Sequence, residues 1–214
     1  MTEPTVGRPA AAGRPMRADA RRNRQRLLAA ARAAFTEHGA DASLDDIARL
    51  AGVGSGTLYR HFPTREALVE AVYRDQVEAL CAHGYELLDT LPPGDALAAW
   101  LRALADYVAT KRGLSSALQG IMGADGSQVF AACKESLNAA ATALLTRAQE
   151  SGAVRPDADA KDLLRLVHAI AVAIEQDPPA ADRLLTLVMD GLRHQAPGAG
   201  RPAGGGRPLP LGRS

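Results

Sequence analysis

The chain has 214 residues, 47% hydrophobic, 4% aromatic and 23% charged, which is long enough for one large helical domain or two small ones with a buried core. Alanine and leucine dominate and β-branched runs are missing, so we expect an all-α protein. No apolar stretch reaches the roughly 18 residues of a membrane span, and no apolar signal segment follows the first arginines; we expect a cytoplasmic protein without a membrane partner.

The net charge of +1 conceals an uneven distribution. Residues 1–65 contain 11 arginines and 6 acidic residues, a net charge of +5, while residues 66–214 contain 14 basic and 18 acidic residues, a net charge of −4. The N-terminal part is therefore where a polyanion would bind.

The N-terminal part begins with an aperiodic stretch over residues 1–17, rich in Pro, Gly, Ala and Arg, which predicts a disordered basic arm. A helix is predicted from Asp19 to His38 and ends at Gly39. The arginines that cluster before and within it are Arg17, Arg21, Arg22, Arg24 and Arg26. They are suited to bind phosphates, and the alternative is a solvated arm without a partner.

Two short helices joined by a tight turn are predicted between Ser43 and Phe62, in the sequence SLDDIARLAGVGSGTLYRHF. Ser43 predicts an N-cap, with Asp46 closing a capping box. Gly52 stands where a helix end needs a left-handed backbone. The second helix starts with small residues and then carries hydroxyl, ring and cationic side chains, which are the chemistries that read a DNA groove.

Three motifs in this region resemble a known family: AAFTEHG at 33–39, DIARLAGV at 46–53 and GTLYRHF at 56–62. Residues 21–68 are accordingly similar to the DNA-binding domain of tetracycline-repressor-type (TetR) transcriptional regulators. The resemblance implies an N-terminal three-helix helix-turn-helix domain followed by a C-terminal helical domain for ligand binding and dimerisation, about nine helices in all. Family members often have lysine where Arg65 stands; arginine keeps the charge but not the geometry.

The resemblance also implies which side chains bind a double-stranded operator. Predicted DNA contacts are Arg21, Arg22, Ser43, Ser55, Gly56, Thr57, Tyr59, His61 and Arg65. In this set the arginines hold phosphates, and the recognition helix reads the groove. Phe62 is expected to pin that helix to its own domain.

The rest of the chain reads as a series of amphipathic helices separated by helix breakers. Thr64 predicts the N-cap of a long linking helix. Further helices are predicted over 95–112, 114–122, 127–151, 159–176 and 180–194. The expected domains are the arm, 1–17; the helix-turn-helix domain, 18–66; the effector-binding and dimerisation domain, 67–194; and a disordered Gly/Pro/Arg-rich tail, 195–214.

Two sites are sought in the C-terminal domain because the family has them. Candidate effector-binding residues are Trp100, Tyr107, Gln119, Met122, Phe130 and His168, for each of which an ordinary core or surface role remains open. Candidate dimer-interface residues are Leu163, Val167, Ile170, Ile174, Leu184 and Val188, whose stripe alternatively faces only its own core. Low aromatic content favours an aliphatic or modest-sized effector.

The expected function is transcriptional regulation by a homodimeric repressor that an unidentified small molecule releases from a palindromic operator. The alternative is a DNA-binding structural or regulatory protein without an effector. We expect no enzyme, because Glu-x-x-His, Gly-x-Ser-x-Gly, phosphate-loop and Cys-x-x-Cys motifs are missing from the sequence. Cys81 and Cys133 stand singly in apolar patterns, so we expect no metal and no cofactor.

Overall fold

The computed structural model describes residues 13–110, 127–173 and 180–193. In those ranges the chain forms α-helices and no strand, which confirms the all-α class. The helices are α1 Gly13–His38, α2 Leu44–Leu50, α3 Ser55–His61, α4 Arg65–Thr90, α5 Pro93–Thr110, α6 Ser127–Glu150, α7 Ala160–Ala173 and α8 Ala180–Leu192, with a short 3₁₀ helix, Gly39–Asp41, between α1 and α2. The predicted helix at 114–122 and the predicted tail lie outside the described residues.

The ends of α2 follow from local chemistry. Ser43 caps the helix by accepting from the Asp46 N–H at 3.4 Å, while the Asp46 carboxylate accepts from Arg49 at 2.7 Å. The reciprocal bond of the predicted capping box is thus replaced by an ion pair. At the other end Gly52 adopts φ +65°, as predicted, and the Val53 N–H bonds to the Ala48 carbonyl at 3.0 Å. This left-handed termination turns the chain sharply into α3.

Helices α1, α2 and α3 share one core with the start of α4. Its largest fully buried side chains include Leu27, Phe35, Ile47, Leu58 and Leu68. Phe62, at the end of α3, is also buried and anchors that helix, as predicted.

Helix α4 belongs to both halves of the molecule. It begins after Thr64, whose hydroxyl accepts from the Ala67 N–H at 3.1 Å, and continues for 26 residues, about 39 Å. One end packs against α1, and its length packs against α5 and α6. One continuous helix therefore connects the helix-turn-helix domain to the C-terminal half.

Trp100 lies in the core of the C-terminal half, which is the ordinary core role left open for it, and its effector contact stays a prediction. The side chain is fully buried, and its Nε1–H donates to the Leu80 carbonyl at 2.9 Å. Gly84 allows this contact between α4 and α5, because a Cβ there would lie 2.8 Å from Nε1 of Trp100. The indole thus stabilises the junction between α4 and α5.

Helices α7 and α8 complete the described fold. The Arg155 N–H donates to the Leu192 carbonyl at 2.8 Å, and Arg102 on α5 pairs with Asp182 on α8 at 2.6 Å. None of the helices in the described ranges is both long and apolar enough to cross a membrane.

Candidate nucleic-acid interface and effector region

Helix α3 has one face in the core and one face outward. Leu58 is buried, whereas Tyr59 is 47% exposed and Thr57 is half-buried. His61 is half-buried, with its ring centroid 6.2 Å from that of Phe62. Leu58 therefore fixes the inner side of α3, while Thr57 and Tyr59 lie on either flank of it, and Tyr59 is the more exposed of the two.

Two glycines flank the first residue of α3. A Cβ built on either Gly54 or Gly56 would meet nothing within 4 Å, and neither glycine has a positive φ. Packing within the protomer therefore does not require a residue without a side chain at these positions. Their smallness instead leaves this surface open to a close approach by a second molecule.

Ser55 forms a contact that the sequence did not predict. Its hydroxyl donates to the Asp45 carboxylate, with Oγ 2.7 Å from Oδ1, and so joins α3 to the first turn of α2. Ser43 has a different role, since its side-chain oxygen is used to cap α2. No sequence signal links Asp45 to Ser55, because the two lie ten positions apart in different helices.

The arginines of α1 between residues 21 and 26 are all exposed, but they differ in their contacts. Arg21 and Arg22 are exposed, and Arg22 also pairs with Asp19. Arg24 lies over the Phe62 ring, 5.7 Å from its centroid, while Nη2 of Arg26 would be 2.5 Å from a Cβ at Gly52. The latter two arginines therefore pack on the helix-turn-helix itself, and the Arg17 side chain lies outside the described residues.

Arg65 was predicted to bind a phosphate, but its side chain turns towards its own domain. Its Nη2 donates to the Ala42 carbonyl, and its guanidinium carbon lies 5.8 Å from the centroid of the Phe35 ring. Nη1 is also buried. This cation is committed to contacts inside the domain, because the loop before α2 supplies an acceptor and α1 supplies an aromatic face.

Among the effector candidates, Tyr107 and Phe130 approach Tyr73 of α4. The Tyr73 and Phe130 ring centroids are 4.8 Å apart with an interplanar angle of 55°. Burial, and then the neighbouring Tyr73 and the hydrogen bond to it, raise the pKa of Tyr107 well above its usual range. Burial is also the main cause of the raised pKa of Tyr73. The three rings form a cluster, Tyr73–Tyr107–Phe130, contributed by α4, α5 and α6.

The other effector candidates do not join this cluster. His168 is exposed on α7, so the core role left open for it is wrong, and its effector contact stays a prediction. Gln119 and Met122 lie outside the described residues. Sequence spacing failed for His168 because an apolar neighbourhood along a helix does not say which side of the helix is covered.

Cys81 and Cys133 are buried near the cluster, and neither is part of a disulfide. Burial, then Cys133 and Glu78, raise the pKa of the Cys81 thiol. A buried thiol with a raised pKa is a weak nucleophile and a poor ligand at neutral pH. The described residues contain no group of three or more side chains placed to bind a metal.

The last two described helices form an open apolar groove. Its apolar lining includes Leu163, Leu166, Ile170, Leu184, Leu187 and Val188. Leu166 and Leu187 are 45% and 66% exposed, whereas Leu163 and Val167 are buried within the protomer. These last two fit the alternative that the stripe faces its own core, and their part in an interface stays a prediction. Ile174 lies outside the described residues.

The fold and the outward face of α3 define a helix-turn-helix DNA-binding protein. Residues 27–72 match the family model of bacterial regulatory proteins of the tetR family, and residues 92–194 match the model of the SbtR-like transcriptional regulator C-terminal domain. The chain belongs to the TetR family of transcriptional regulators.

Solved structures agree with this placement. A TetR transcriptional regulator from Streptomyces coelicolor is 44% identical, with 81% of this chain and 99% of that chain covered and a TM-score of 0.74. A TetR regulatory protein from Mycobacterium vanbaalenii is 38% identical, with 84% of this chain and 100% of that chain covered and a TM-score of 0.73.

Among curated proteins, an HTH-type transcriptional regulator of Staphylococcus aureus is 37% identical over 75 residues, which is 35% of this chain and 40% of that protein. The chain thus spans less than half the length of this curated relative.

Proposed function

We propose that the protein is a cytoplasmic homodimeric repressor that binds a palindromic operator through α3 and leaves it when a small molecule binds the C-terminal domain. The proposal of DNA binding rests on the outward face of α3. Tyr59 is exposed there, and the surface at Gly56 is open, on a helix that buried Leu58 anchors to its domain. Exposed Arg21 and Arg22 add the phosphate contacts that set affinity and its salt dependence.

The groove between α7 and α8 supports the homodimer. An apolar surface around Leu166, Leu187 and Val188 would be covered if the same two helices of a second copy packed against it, giving a four-helix interface. Ile170 and Leu184 lie in the same groove and keep their proposed role. Two-fold symmetry would then place two copies of α3 one DNA turn apart, about 34–36 Å, or a multiple of it.

The cluster Tyr73–Tyr107–Phe130 supports an effector site. Aromatic faces and phenol hydroxyls from three helices meet beside α4, the helix that reaches the DNA-binding domain. A ligand that favours one of two positions of α4 would change the distance between the two copies of α3 in the homodimer. Only a ligand that binds the two positions of α4 with different affinities can shift the equilibrium between them.

The test of DNA binding is a fluorescence-anisotropy titration of the purified protein with its own upstream intergenic DNA, at two salt concentrations. Tyr59→Ala should abolish specific binding. Tyr85→Ala is a matched control, because Tyr85 is 48% exposed and lies far along α4 from the helix-turn-helix. Specific binding that survives Tyr59→Ala, or that is lost equally in both variants, would contradict the proposal.

The same operator DNA serves to distinguish the effector-controlled repressor from the alternative, a DNA-binding protein without an effector. A library of aliphatic and modest-sized metabolites is screened for release of the labelled duplex, and each hit is repeated on Tyr107→Phe and Phe130→Ala. Release that weakens in these variants supports the effector site. If ligands that bind the protein leave operator affinity unchanged, the effector part of the proposal fails.

A further inference from the structure

The Asp45–Ser55 pair lies at the surface proposed to meet the DNA bases. Ser55 is the first residue of α3, and Asp45 stands in the first turn of α2, with Ser55 Oγ 2.7 Å from Asp45 Oδ1. We propose that this pair is a specificity element that selects a base carrying an exocyclic amino group, adenine or cytosine, in the major groove. The inference rests on the proposed operator binding and adds to it a residue, Asp45, on the helix before the recognition helix.

The hydrogen bond determines what Ser55 offers to a base. A serine hydroxyl has one proton and two acceptor lone pairs, and here the proton is directed to the Asp45 carboxylate. An ionised carboxylate only accepts. The pair therefore presents acceptors to an approaching molecule, although serine without a carboxylate beside it both donates and accepts.

Acceptors discriminate among base edges in the major groove. Adenine and cytosine display amino donors, N6 and N4, whereas guanine displays the acceptors N7 and O6 and thymine displays O4. A guanine or thymine edge at this pair would bring acceptor against acceptor and leave polar groups unsatisfied in a desolvated interface. The chemistry therefore selects adenine or cytosine and rejects guanine and thymine.

The surroundings of the pair leave room for a base edge. Gly54 and Gly56 stand on either side of Ser55, and a Cβ at either would meet nothing within 4 Å. The first residues of a recognition helix are those that contact base edges in helix-turn-helix proteins. Asp45 is exposed and Ser55 is half-buried, and neither residue next to Ser55 in the chain adds a side chain that would hinder a base.

The charge of Asp45 also has a consequence for affinity. A carboxylate at this surface repels phosphates, so it weakens binding to DNA of every sequence, which Arg21 and Arg22 offset. The adjacent Asp46 has the same charge but accepts from Arg49 at 2.7 Å instead of from a residue of α3. The two aspartates therefore form a natural pair for experiment, with equal charge and different partners.

The test is selection of bound duplexes from a random library by the full-length protein, followed by anisotropy titrations with each of the four bases at the selected positions. The native protein should prefer adenine or cytosine over guanine or thymine at one symmetry-related pair of positions, by about ten- to a hundredfold. Asp45→Asn supplies an amide that donates as well as accepts, and should reduce this preference to below about threefold. Ser55→Ala should also reduce it.

Asp46→Asn is the control, because it removes the same charge one residue away. It should keep the base preference while raising affinity for all sequences, as the loss of any carboxylate near phosphates would. An unchanged preference in Asp45→Asn, or an equal loss in both asparagine variants, overturns the inference and leaves the proposed operator binding intact. A native protein that selects no motif overturns both.

Discussion

Arg65, the first residue of α4, donates a hydrogen bond to the carbonyl oxygen of Ala42, the residue before the N-cap of α2. The same guanidinium lies over Phe35 of α1. One side chain therefore joins the linking helix to two elements of the helix-turn-helix domain. In the proposed release mechanism, this side chain would couple a movement of α4 to the helix-turn-helix domain.

This contact predicts that Arg65 acts on DNA binding through stability instead of charge. Arg65→Gln should lower the free energy of unfolding by about 1–3 kcal/mol, because a part-buried charged hydrogen bond is lost. Operator affinity should fall, yet the slope of log affinity against log salt should stay the same. Chemical denaturation and anisotropy at several salt concentrations measure the two effects.

Arg21→Gln is the matched control for that prediction. Arg21 is exposed on α1 and is expected to bind a phosphate. Its loss should leave stability within about 0.5 kcal/mol and reduce the magnitude of the salt slope by about 0.9. If Arg65→Gln changed the slope by this amount, Arg65 would be a phosphate contact after all.

Gly56→Ala should change stability and DNA affinity in opposite directions. Gly56 lies within α3 at an ordinary helical position with open space around it, so alanine should stabilise the fold by about 0.5–1 kcal/mol. The added methyl group would occupy the surface that the DNA approaches, so operator affinity should fall. Equal or tighter DNA binding by this variant would show that the surface at Gly56 is not the one in contact.

Gly84→Ala should be destabilising, although it is the same substitution in a helix. A Cβ at Gly84 would lie 2.8 Å from Nε1 and 2.9 Å from Cδ1 of Trp100, so the indole or α4 would have to move. Overpacking of this kind costs about 1–3 kcal/mol. Denaturation followed by the fluorescence of the single tryptophan reports both the stability and the environment of Trp100. A midpoint equal to that of the native protein would be inconsistent with the packing of α4 on α5.

Alkaline pH should weaken the fold through Tyr107. Burial and the neighbouring Tyr73 raise the pKa of Tyr107, so the folded protein holds a proton that the unfolded chain releases above pH about 10. Stability is then fully present below that pH and declines above it, by about 1.4 kcal/mol per pH unit for each such proton. Unfolding free energies at pH 8, 10 and 11 should fall less steeply in Tyr107→Phe. The same steepness in both proteins would contradict a buried phenol.

Leu187→Lys should dissociate the proposed homodimer. The side chain is 66% exposed in the protomer, and the proposed interface would bury it twice, once from each copy. Loss of two such contacts should weaken dimerisation by at least about a hundredfold, measured by sedimentation. Leu50→Lys is the control, since Leu50 is 67% exposed on α2 and should leave the association unchanged. Equal sedimentation of the Leu187→Lys variant and the native protein would place the interface elsewhere.

Local chemistry was sufficient to predict most of the architecture. Ser43 and Thr64 cap the helices that the sequence assigns to them, and Gly52 ends α2 with a positive φ. Helix α6 begins at the predicted Ser127 and ends one residue before the predicted 151. These features depend on residues within about four positions of one another, so the order of the residues is enough to define them.

The partners of individual side chains were decided by the tertiary structure. Arg65 turns inward because Ala42 and Phe35, each at least 20 positions away, supply an acceptor and a ring. Trp100 is core because Gly84 of another helix leaves space for it. Helical periodicity groups the residues of one face, but it does not say which neighbouring helix covers that face or which distant atom accepts a proton. The family and its helices were therefore readable from the order of residues, whereas the roles of Arg65, Trp100, His168 and Asp45 depended on contacts between elements far apart in the chain.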